Sequence, residues 1–272
     1  MEIEFIKTSP TQNMTILVET EIPPENQLGI AQKLMAYDGV YGEQTGFIHE
    51  PEDKRAAKAL RMMAGEFCGN ATMSLAAWLM EQKHIPLGVK ETVLLEVSGA
   101  KELISCEVQK KQDQGYYGRV DMPKPLSVET ETFQLGRAVY ELPVVRFEGI
   151  SHIIVKRELW GEDAKNMAEQ AAFMWEERMP DAFGIILWDE RTEQLEPLVC
   201  LKGASLVWEK GCGSGTSAIG AYLAMQAGKD ISLQCKQPGG VMGVEATVKE
   251  GKLTSLQISG YISIVATGKA YI

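Results

Sequence analysis

The sequence runs twice through one succession of elements built around a Cys-Gly turn. Each time, a strand-like region leads to a helix and further strands, then to a Cys-Gly turn that opens a second helix, then to more strands. The turns read Glu-Phe-Cys-Gly-Asn-Ala-Thr at 66–72 and Lys-Gly-Cys-Gly-Ser-Gly-Thr at 210–216, and slightly more than half of the 272-residue chain separates them. A repeated unit of this size predicts a doubled α+β domain with a cleft between its halves.

The local patterns supply the elements that this repeat needs. Short runs rich in β-branched residues predict strands at 14–18, 93–97, 103–108, 153–155, 185–188 and 262–265. Apolar residues at spacings of three and four predict helices at 26–36, 71–83, 162–178 and 215–226. Two prolines within 121–125 interrupt the strand propensity, so we expect the domain break there.

The charge balance excludes several classes of partner. Lys and Arg number 27 against 37 Asp and Glu, a net charge of −10, and such a surface repels phosphate backbones and anionic lipid. Nucleic acid and membrane partners are therefore not expected. An apolar run of about 18–20 residues is lacking, and residues 1–7 lack a basic region followed by an apolar block. We expect a cytoplasmic protein.

The five cysteines do not form a disulfide or zinc pattern. Their number is odd, CxxC does not occur, and the chain has only three histidines. We expect reduced thiols and no metal site. Cys106, Cys200 and Cys235 are predicted to be small buried residues, because this is the usual environment of a lone cysteine.

Cys68 and Cys212 differ from the other cysteines because each lies directly before a helix. The first turn of a helix carries unpaired N–H groups and a partial positive charge. A thiol there is expected to have a lowered pKa, and the N–H groups can hold a carboxylate. Asn70 and Ser214 are predicted to cap the two helices.

Two thiols that converge on one cleft from opposite sides suit the inversion of a carbon centre. One thiolate removes a proton from one face of Cα, and one thiol returns a proton to the other face. Negative charge that builds on the carboxylate is then stabilised by helix N–H donors. A phosphate loop at 211–216 fits neither GxGxxG nor GxxxxGK[ST], and nothing in the local sequence pairs His84 or His152 with a cysteine for hydrolysis.

At these residues the chain resembles the cofactor-independent amino-acid racemase and epimerase superfamily typified by diaminopimelate epimerase. The resemblance runs the whole length. Besides the two cysteine motifs, it is carried by Gln-Asn-Met-Thr at 12–15, Glu-Gln-Thr-Gly-Phe at 43–47, Trp-Glu at 208–209 and Gln-Pro-Gly-Gly at 237–240. It implies two pseudo-symmetric domains, each a mixed, largely antiparallel curved sheet around a central helix, with the active site in the cleft between the domains.

Departures from the epimerase pattern narrow the choice of substrate. The epimerase has Gly-Asn-Pro-His and Glu-Arg stretches that grip a long substrate, whereas this chain has Gly-Ile-Ser-His at 149–152 and Glu-Lys at 209–210. The pattern is closer to the histidine racemases of opine-type (staphylopine) metallophore biosynthesis, which share Phe-Cys-Gly-Asn-Ala-Thr-Met-Ser at 67–74 and the ending at 265–272. Their Gly-Asn-Glu-Phe-Cys run appears here as Ala-Gly-Glu-Phe-Cys at 64–68.

The resemblance implies a role for each matching residue. Cys68 and Cys212 become the base and acid pair. The N–H groups of Gly69, Asn70, Gly213 and Ser214 would hold the α-carboxylate, and Asn13, Gln44 and Glu209 would hold the α-amino group and substrate backbone. Glu43 would accept a hydrogen bond from the imidazole, the alternative being a solvated loop acid, and His152 would support its strand rather than touch substrate.

The sequence hypothesis is thus a pyridoxal-phosphate-independent histidine racemase without a cofactor, and the resemblance further implies a homodimer. It also implies an N-terminal domain of 1–120 plus 263–272 with Cys68, and a C-terminal domain of 121–262 with Cys212. Two alternatives remain open. One is diaminopimelate epimerase, and the other is an isomerase or binding protein of the same fold that takes a small carboxylate.

Overall fold

The computed structural model describes residues 1–112, 114–203 and 205–272. The chain folds as two compact units. The first consists of Met1–Asp121 and Ser259–Ile272, and the second of Met122–Ile258. The described residues are of the mixed α+β class, with many strands and few helices.

Sixteen strands and four α-helices are found among the described residues. The strands are β1 Glu2–Pro10, β2 Thr15–Val18, β3 Gln44–His49, β4 Lys58–Met62, β5 Lys90–Val97, β6 Ile104–Gln112, β7 Gly115–Asp121, β8 Ser127–Leu135, β9 Ala138–Arg146, β10 Ser151–Lys156, β11 Ala182–Asp189, β12 Gln194–Leu201, β13 Ser205–Trp208, β14 Ile231–Gln237, β15 Gly240–Lys249 and β16 Lys252–Tyr271. The helices are α1 Pro24–Met35, α2 Gly69–Gln82, α3 Ala164–Trp175 and α4 Gly213–Ala227. The six strands and four helices predicted from the sequence are therefore confirmed.

Each α-helix lies between two strands that pair in parallel. The parallel pairs include β2 with β3, β4 with β5, β10 with β11, and β12 with β14, and these are joined through α1, α2, α3 and α4 respectively. Parallel neighbours need such a crossover, whereas the antiparallel pairs need only a turn. Pairs such as β3 with β4 and β11 with β12 are antiparallel.

In the first unit the strands close a ring around α2. The strands follow one another from β1 to β7, and β16 pairs with both β7 and β1. The side of α2 that carries Met73, Ala77 and Met80 is fully buried, and the helix contacts β1, β2, β5, β6 and β7. A second apolar cluster packs α1 against β3 through residues such as Leu34 and Phe47.

In the second unit the strand order is β8, β9, β10, β11, β12, β14 and β15, and β13 pairs with β12. Helix α4 packs on β14 and β15. Helix α3 packs on β8, β11 and β12 over a core of two tryptophans, Trp160 and Trp175, with Phe133 and Phe183. Helix α4 ends at Gly228, whose φ of 63° is the left-handed conformation that commonly closes a helix.

Candidate active site

The Cys68 turn begins α2 with the cysteine itself as the cap. Cys68 has extended backbone angles (φ −134°, ψ 110°), and its Sγ accepts a hydrogen bond from the N–H of Ala71 at 3.4 Å. The Thr72 hydroxyl donates to the Cys68 carbonyl at 2.7 Å. The expectation that Asn70 caps the helix is wrong, because the sulfur takes the capping bond and Asn70 lies inside the first turn.

The Cys212 turn has the same bonds. Cys212 has φ −103° and ψ 108°, and its Sγ accepts from the N–H of Gly215 at 3.3 Å. The Thr216 hydroxyl donates to the Cys212 carbonyl at 2.7 Å. Ser214 is likewise inside the helix rather than its cap, for the same reason. Both sulfurs are thus fixed at a helix N-terminus by backbone bonds.

The structure brings Gln44 to the Cys68 sulfur and Asn13 to Gln44. The Cys68 thiol donates to Gln44 Oε1 at 3.0 Å. Gln44 Nε2 in turn donates to Asn13 Oδ1 and Thr15 Oγ1, both at 2.7 Å. Cys68 is half-buried. Glu43 is exposed beside Gln44, on the last turn of chain before β3.

The Cys212 sulfur is more buried than that of Cys68, and it lies next to a carboxylate. Burial and the neighbouring Glu209 carboxylate, which accepts a hydrogen bond from the thiol, raise the pKa of Cys212 well above its ordinary value. Hydrogen bonds from Ser214 and from the Gly215 N–H act in the opposite direction and are weaker. The expectation of a lowered pKa is therefore wrong for Cys212, because desolvation and the carboxylate outweigh the helix N-terminus.

The four residues predicted to donate N–H groups lie in the first turns of α2 and α4. Gly69 and Asn70 are the first two residues of α2, and Gly213 and Ser214 are the first two of α4. N–H groups at these positions have no carbonyl partner within their own helix. Each turn can therefore bind one carboxylate oxygen or similar anion close to its sulfur.

The chain before Cys68 is held from behind by the turn between β5 and β6. The Ser98 hydroxyl donates to the Glu66 carbonyl at 2.7 Å and accepts from the Met62 N–H at 2.9 Å. Gly99 has a φ of +74°, and a Cβ there would lie 2.4 Å from the Phe67 nitrogen. Only glycine allows this close approach.

Sequence reasoning missed three contributors to the site. Thr72 and Thr216 fix the cysteine carbonyls, and the Cys-Gly-X-X-Thr spacing shared by both turns was the signal. Gln237 accepts from the Cys212 N–H at 2.7 Å and donates to the Thr216 hydroxyl at 2.7 Å. Gln237 belongs to the Gln-Pro-Gly-Gly motif that contributes to the family resemblance, but the motif did not indicate its contact with Cys212.

The remaining cysteines are core residues, as predicted. Cys106, Cys200 and Cys235 are all buried. Residues 1–112, 114–203 and 205–272 contain no group of three or more His, Cys, Asp or Glu side chains arranged to hold a metal ion.

Over the same ranges, none of the helices has both the length and the apolar character needed to cross a membrane.

Solved structures define the class of this fold. A hydroxyproline epimerase from Agrobacterium vitis with bound trans-4-hydroxy-L-proline matches with a TM-score of 0.74 at 12% identity, over 98% of this chain and 92% of that chain. A PhzF-family phenazine biosynthesis protein from Bacillus anthracis matches with a TM-score of 0.70 at 16% identity, over 100% of both chains. The fold is that of proline racemase-like and PhzF-like proteins.

Sequence relatives are more specific. The family model of the histidine racemase CntK N-terminal domain matches residues 2–271. A histidine racemase from Staphylococcus aureus is 33% identical over 99% of this chain and 98% of that protein, and one from Fusobacterium nucleatum subspecies nucleatum is 31% identical over 99% and 97%. The chain belongs to the histidine racemase family.

Proposed function

We propose that this chain interconverts L- and D-histidine without a cofactor, with Cys68 and Cys212 as its two acid–base residues. Family membership supports the substrate and reaction. The observation that carries the residue assignment is the matched pair of cysteine caps. Each sulfur accepts from the N–H three residues on, and a threonine four residues on holds each cysteine carbonyl.

The chemistry follows from this pairing. One sulfur, as thiolate, removes the Cα proton, and the planar carbanion that results shares its charge with the carboxylate. First-turn N–H groups hold the carboxylate oxygens where this charge develops. The second sulfur, as thiol, then protonates the opposite face, so each turnover exchanges the protonation states of the two cysteines.

The raised pKa of Cys212 assigns the starting roles. A thiol that is buried and bonded to Glu209 stays protonated near neutral pH. In this resting state Cys212 therefore begins the cycle as the acid, and the partner sulfur in the proposed pair, Cys68, takes the complementary role of base.

The architecture that this mechanism needs is two pseudo-symmetric domains with one substrate in the cleft between them. In each unit, a crossover helix, an antiparallel strand pair and a cysteine-capped helix follow in the same order, which supports this proposal. Asn13, Gln44 and Glu209 would then bind the α-amino group. Glu43, exposed beside Gln44, would accept a hydrogen bond from the imidazole N–H.

The direct test uses L-histidine in D2O, with optical rotation and Cα deuteration followed together. We expect racemisation with one deuterium entering Cα per inversion. Cys68→Ser and Cys212→Ser should each lower the rate by about 10²-fold or more. Cys200→Ala is the matched control, because Cys200 is a buried cysteine in the apolar core of the second unit. This variant should keep the racemisation rate.

Two results would contradict the proposal. A Cα proton that survives prolonged incubation would remove histidine as the substrate, and full activity in both serine variants would remove the mechanism. Diaminopimelate belongs in the same assay, since faster epimerisation of that substrate would support the open alternative.

A substrate-like aziridine carboxylate carrying an imidazole tests the shared cleft. We expect it to alkylate one of the two cysteines and thereby protect the other from iodoacetamide. If both sulfurs remained equally reactive after stoichiometric labelling, the proposed common site would be wrong.

We extend the proposal to the cell. The five cysteines are free thiols, which suits the cytoplasm, and the family resemblance favours a homodimer that supplies D-histidine for metallophore biosynthesis. Light scattering on the purified chain tests the dimer, and a mass equal to one chain would contradict it.

A further inference from the structure

A line of three polar groups in the second unit runs from the protein interior to the Cys212 sulfur. His152, on β10, has its Nε2 2.9 Å from the Ser214 hydroxyl oxygen. The same hydroxyl oxygen lies 3.5 Å from Cys212 Sγ. His152 is completely buried, whereas Ser214 is half-buried at the start of α4.

The imidazole occupies space that the neighbouring strand leaves for it. His152 stands opposite Gly184 in the parallel pairing of β10 with β11. A Cβ at Gly184 would lie 2.5 Å from His152 Nδ1 and 2.9 Å from Cε1. The ring also makes an edge contact with Phe147, with centroids 6.4 Å apart. This packing fixes the ring with Nε2 toward Ser214.

The burial of the ring also determines where its proton lies. Burial lowers the pKa of His152 to about 3, so the imidazole is neutral near pH 7. Within the described residues, Nδ1 is buried and has no hydrogen-bond partner. Buried N–H groups without an acceptor are rarer in proteins than buried acceptors without a donor, so we assign the proton to Nε2.

This tautomer gives the line a direction. Nε2–H donates to the Ser214 oxygen, and the Ser214 hydroxyl hydrogen is then free to point toward the sulfur. A hydroxyl that accepts a hydrogen bond also donates more strongly, because the bonds polarise each other. No proton leaves His152 or Ser214 in this arrangement, since the proton that Cys212 exchanges goes to and from the substrate carbon.

We propose that His152 is a positioning residue that orients the Ser214 hydroxyl as a hydrogen-bond donor to the Cys212 thiolate. The inference rests on the proposed role of Cys212 in racemisation. It explains how a sulfur that is buried and next to the Glu209 carboxylate can become a thiolate at all in the half-cycle where it acts as the base. The Ser214 bond acts on the Cys212 pKa in the required, lowering direction.

The groups that face the sulfur come from several elements. Glu209 precedes α4 and is the charged group that raises the Cys212 pKa, while the Gly215 N–H and Ser214 on α4 lower it. His152 on β10 reaches the sulfur only through Ser214. A role limited to core packing would leave the reactivity of Cys212 unchanged when the donor on residue 152 is removed.

The test is the pH dependence of iodoacetamide alkylation at Cys212, located by mass spectrometry, with Cys68 in the same chain as the internal reference. We expect Ser214→Ala to move the Cys212 midpoint up by about one pH unit, a fall of about tenfold in alkylation at fixed pH. His152→Leu should give a similar shift, and His152→Gln, whose amide can still donate, should recover part of it. Ser217→Ala is the matched control, because that hydroxyl on α4 donates to the Gly213 carbonyl at 2.9 Å rather than to the sulfur, and it should leave the midpoint in place.

A double variant shows whether His152 acts on the Cys212 midpoint through Ser214 or independently of it. The His152→Leu and Ser214→Ala double variant should shift the midpoint no further than Ser214→Ala alone, because both changes break one line. If His152→Leu does not fold, Gly184→Ala replaces it, since the added Cβ displaces the ring and leaves both partners intact.

Additive shifts would overturn the inference. So would a midpoint in His152→Leu, or in Gly184→Ala where that variant replaces it, equal to the midpoint of the unsubstituted chain. Alkylation is measured without substrate, so these outcomes are independent of racemisation. Failure of the proposed function is seen separately, as an active Cys212→Ser variant.

Discussion

The Cys68 turn presents its sulfur to a neutral amide, whereas the Cys212 turn presents its sulfur to a carboxylate. The backbone bonds of the two turns are nearly identical, so the difference lies in what the tertiary structure packs around them. One capping geometry is therefore placed in two different environments, and in the second of them burial and Glu209 raise the pKa of the Cys212 thiol.

The two turns also differ in tightness. Ala71 follows Cys68 by three residues, whereas the matching residue after Cys212 is Gly215. A Cβ at Gly215 would lie 2.8 Å from Ile186 Cδ1 and 3.2 Å from the Cys212 sulfur. Ile186 on β11 therefore packs directly against the Cys212 turn. This packing contributes to the burial that raises the pKa of the Cys212 thiol.

The strongest test of how the Cys68 turn is held is Gly99→Ala. We expect a loss of about 3 kcal/mol or more in the free energy of unfolding, because left-handed backbone strain of about 1–3 kcal/mol adds to a clash with the Phe67 backbone. Urea denaturation measures it. Gly88→Ala is the control, since Gly88 has a φ of +82° with open space around it. Equal losses in the two variants would show that the contact with Phe67 does not matter.

The threonines of the two cysteine turns should contribute unequally to the free energy of unfolding. Thr216→Val removes the bond to the Cys212 carbonyl and also leaves buried Gln237 Nε2 without its acceptor, so we expect a loss of about 2 kcal/mol. Thr72→Val removes the single bond to the Cys68 carbonyl, and we expect about 1 kcal/mol. Denaturant titration of both variants measures the difference, and a larger loss for Thr72→Val would reverse this part of the comparison.

The buried histidine should give the second unit a dependence on pH. The pKa of His152 in the folded chain, about 3, lies below its ordinary value of 6.5, so the unfolded chain binds a proton that the folded chain refuses. Stability is then complete above about pH 6.5 and falls as the pH drops from there toward 3. At pH 5.5 the loss is about 1.4 kcal/mol. The His152→Gln variant should lack this component when free energies of unfolding at pH 7.5 and 5.5 are compared.

The smallest effects should come from exchanging the neighbours of the two sulfurs. Glu209→Gln removes the carboxylate that raises the Cys212 pKa, so alkylation of Cys212 at a fixed pH should rise by about 3- to 10-fold. Gln44→Glu should slow alkylation of Cys68 at the same pH. The substitution introduces a negative charge at the position of Gln44 Oε1, which lies 3.0 Å from the Cys68 sulfur. Unchanged rates in both variants would mean that these neighbours do not set the difference between the turns.

The sequence predicts the elements of this fold better than their pairing. Strand and helix patterns at 93–97 and 215–226, for example, lie within β5 and α4. That α2 joins two parallel strands and lies inside a ring of strands depends on contacts between distant segments, such as Pro10 with Ile262. Period and propensity are local properties and do not contain such contacts.

The same limit applies to the site. The cysteine turns are visible in the sequence because a Cys-Gly turn occurs twice. Both helices nevertheless begin two residues earlier than Ala71 and Gly215, since a sulfur rather than an oxygen caps them. The acidity of Cys212 could not be predicted from its helix position, because burial and Glu209 act more strongly. Nor does the sequence around His152 indicate Ser214, because β10 and α4 meet only in the folded chain.

Strand β16 has a consequence for how the chain can acquire its structure during synthesis. The strand begins in the second unit, and its last residues pair with β1 in the first. The second unit is continuous in sequence, so all of its strands have left the ribosome before the ring around α2 receives its closing member. The second unit can therefore complete its strands before the N-terminal unit does, whereas N-terminal domains generally fold first. The edge of β1 that pairs with β16 stays without its partner until residues 262–271 have been synthesised.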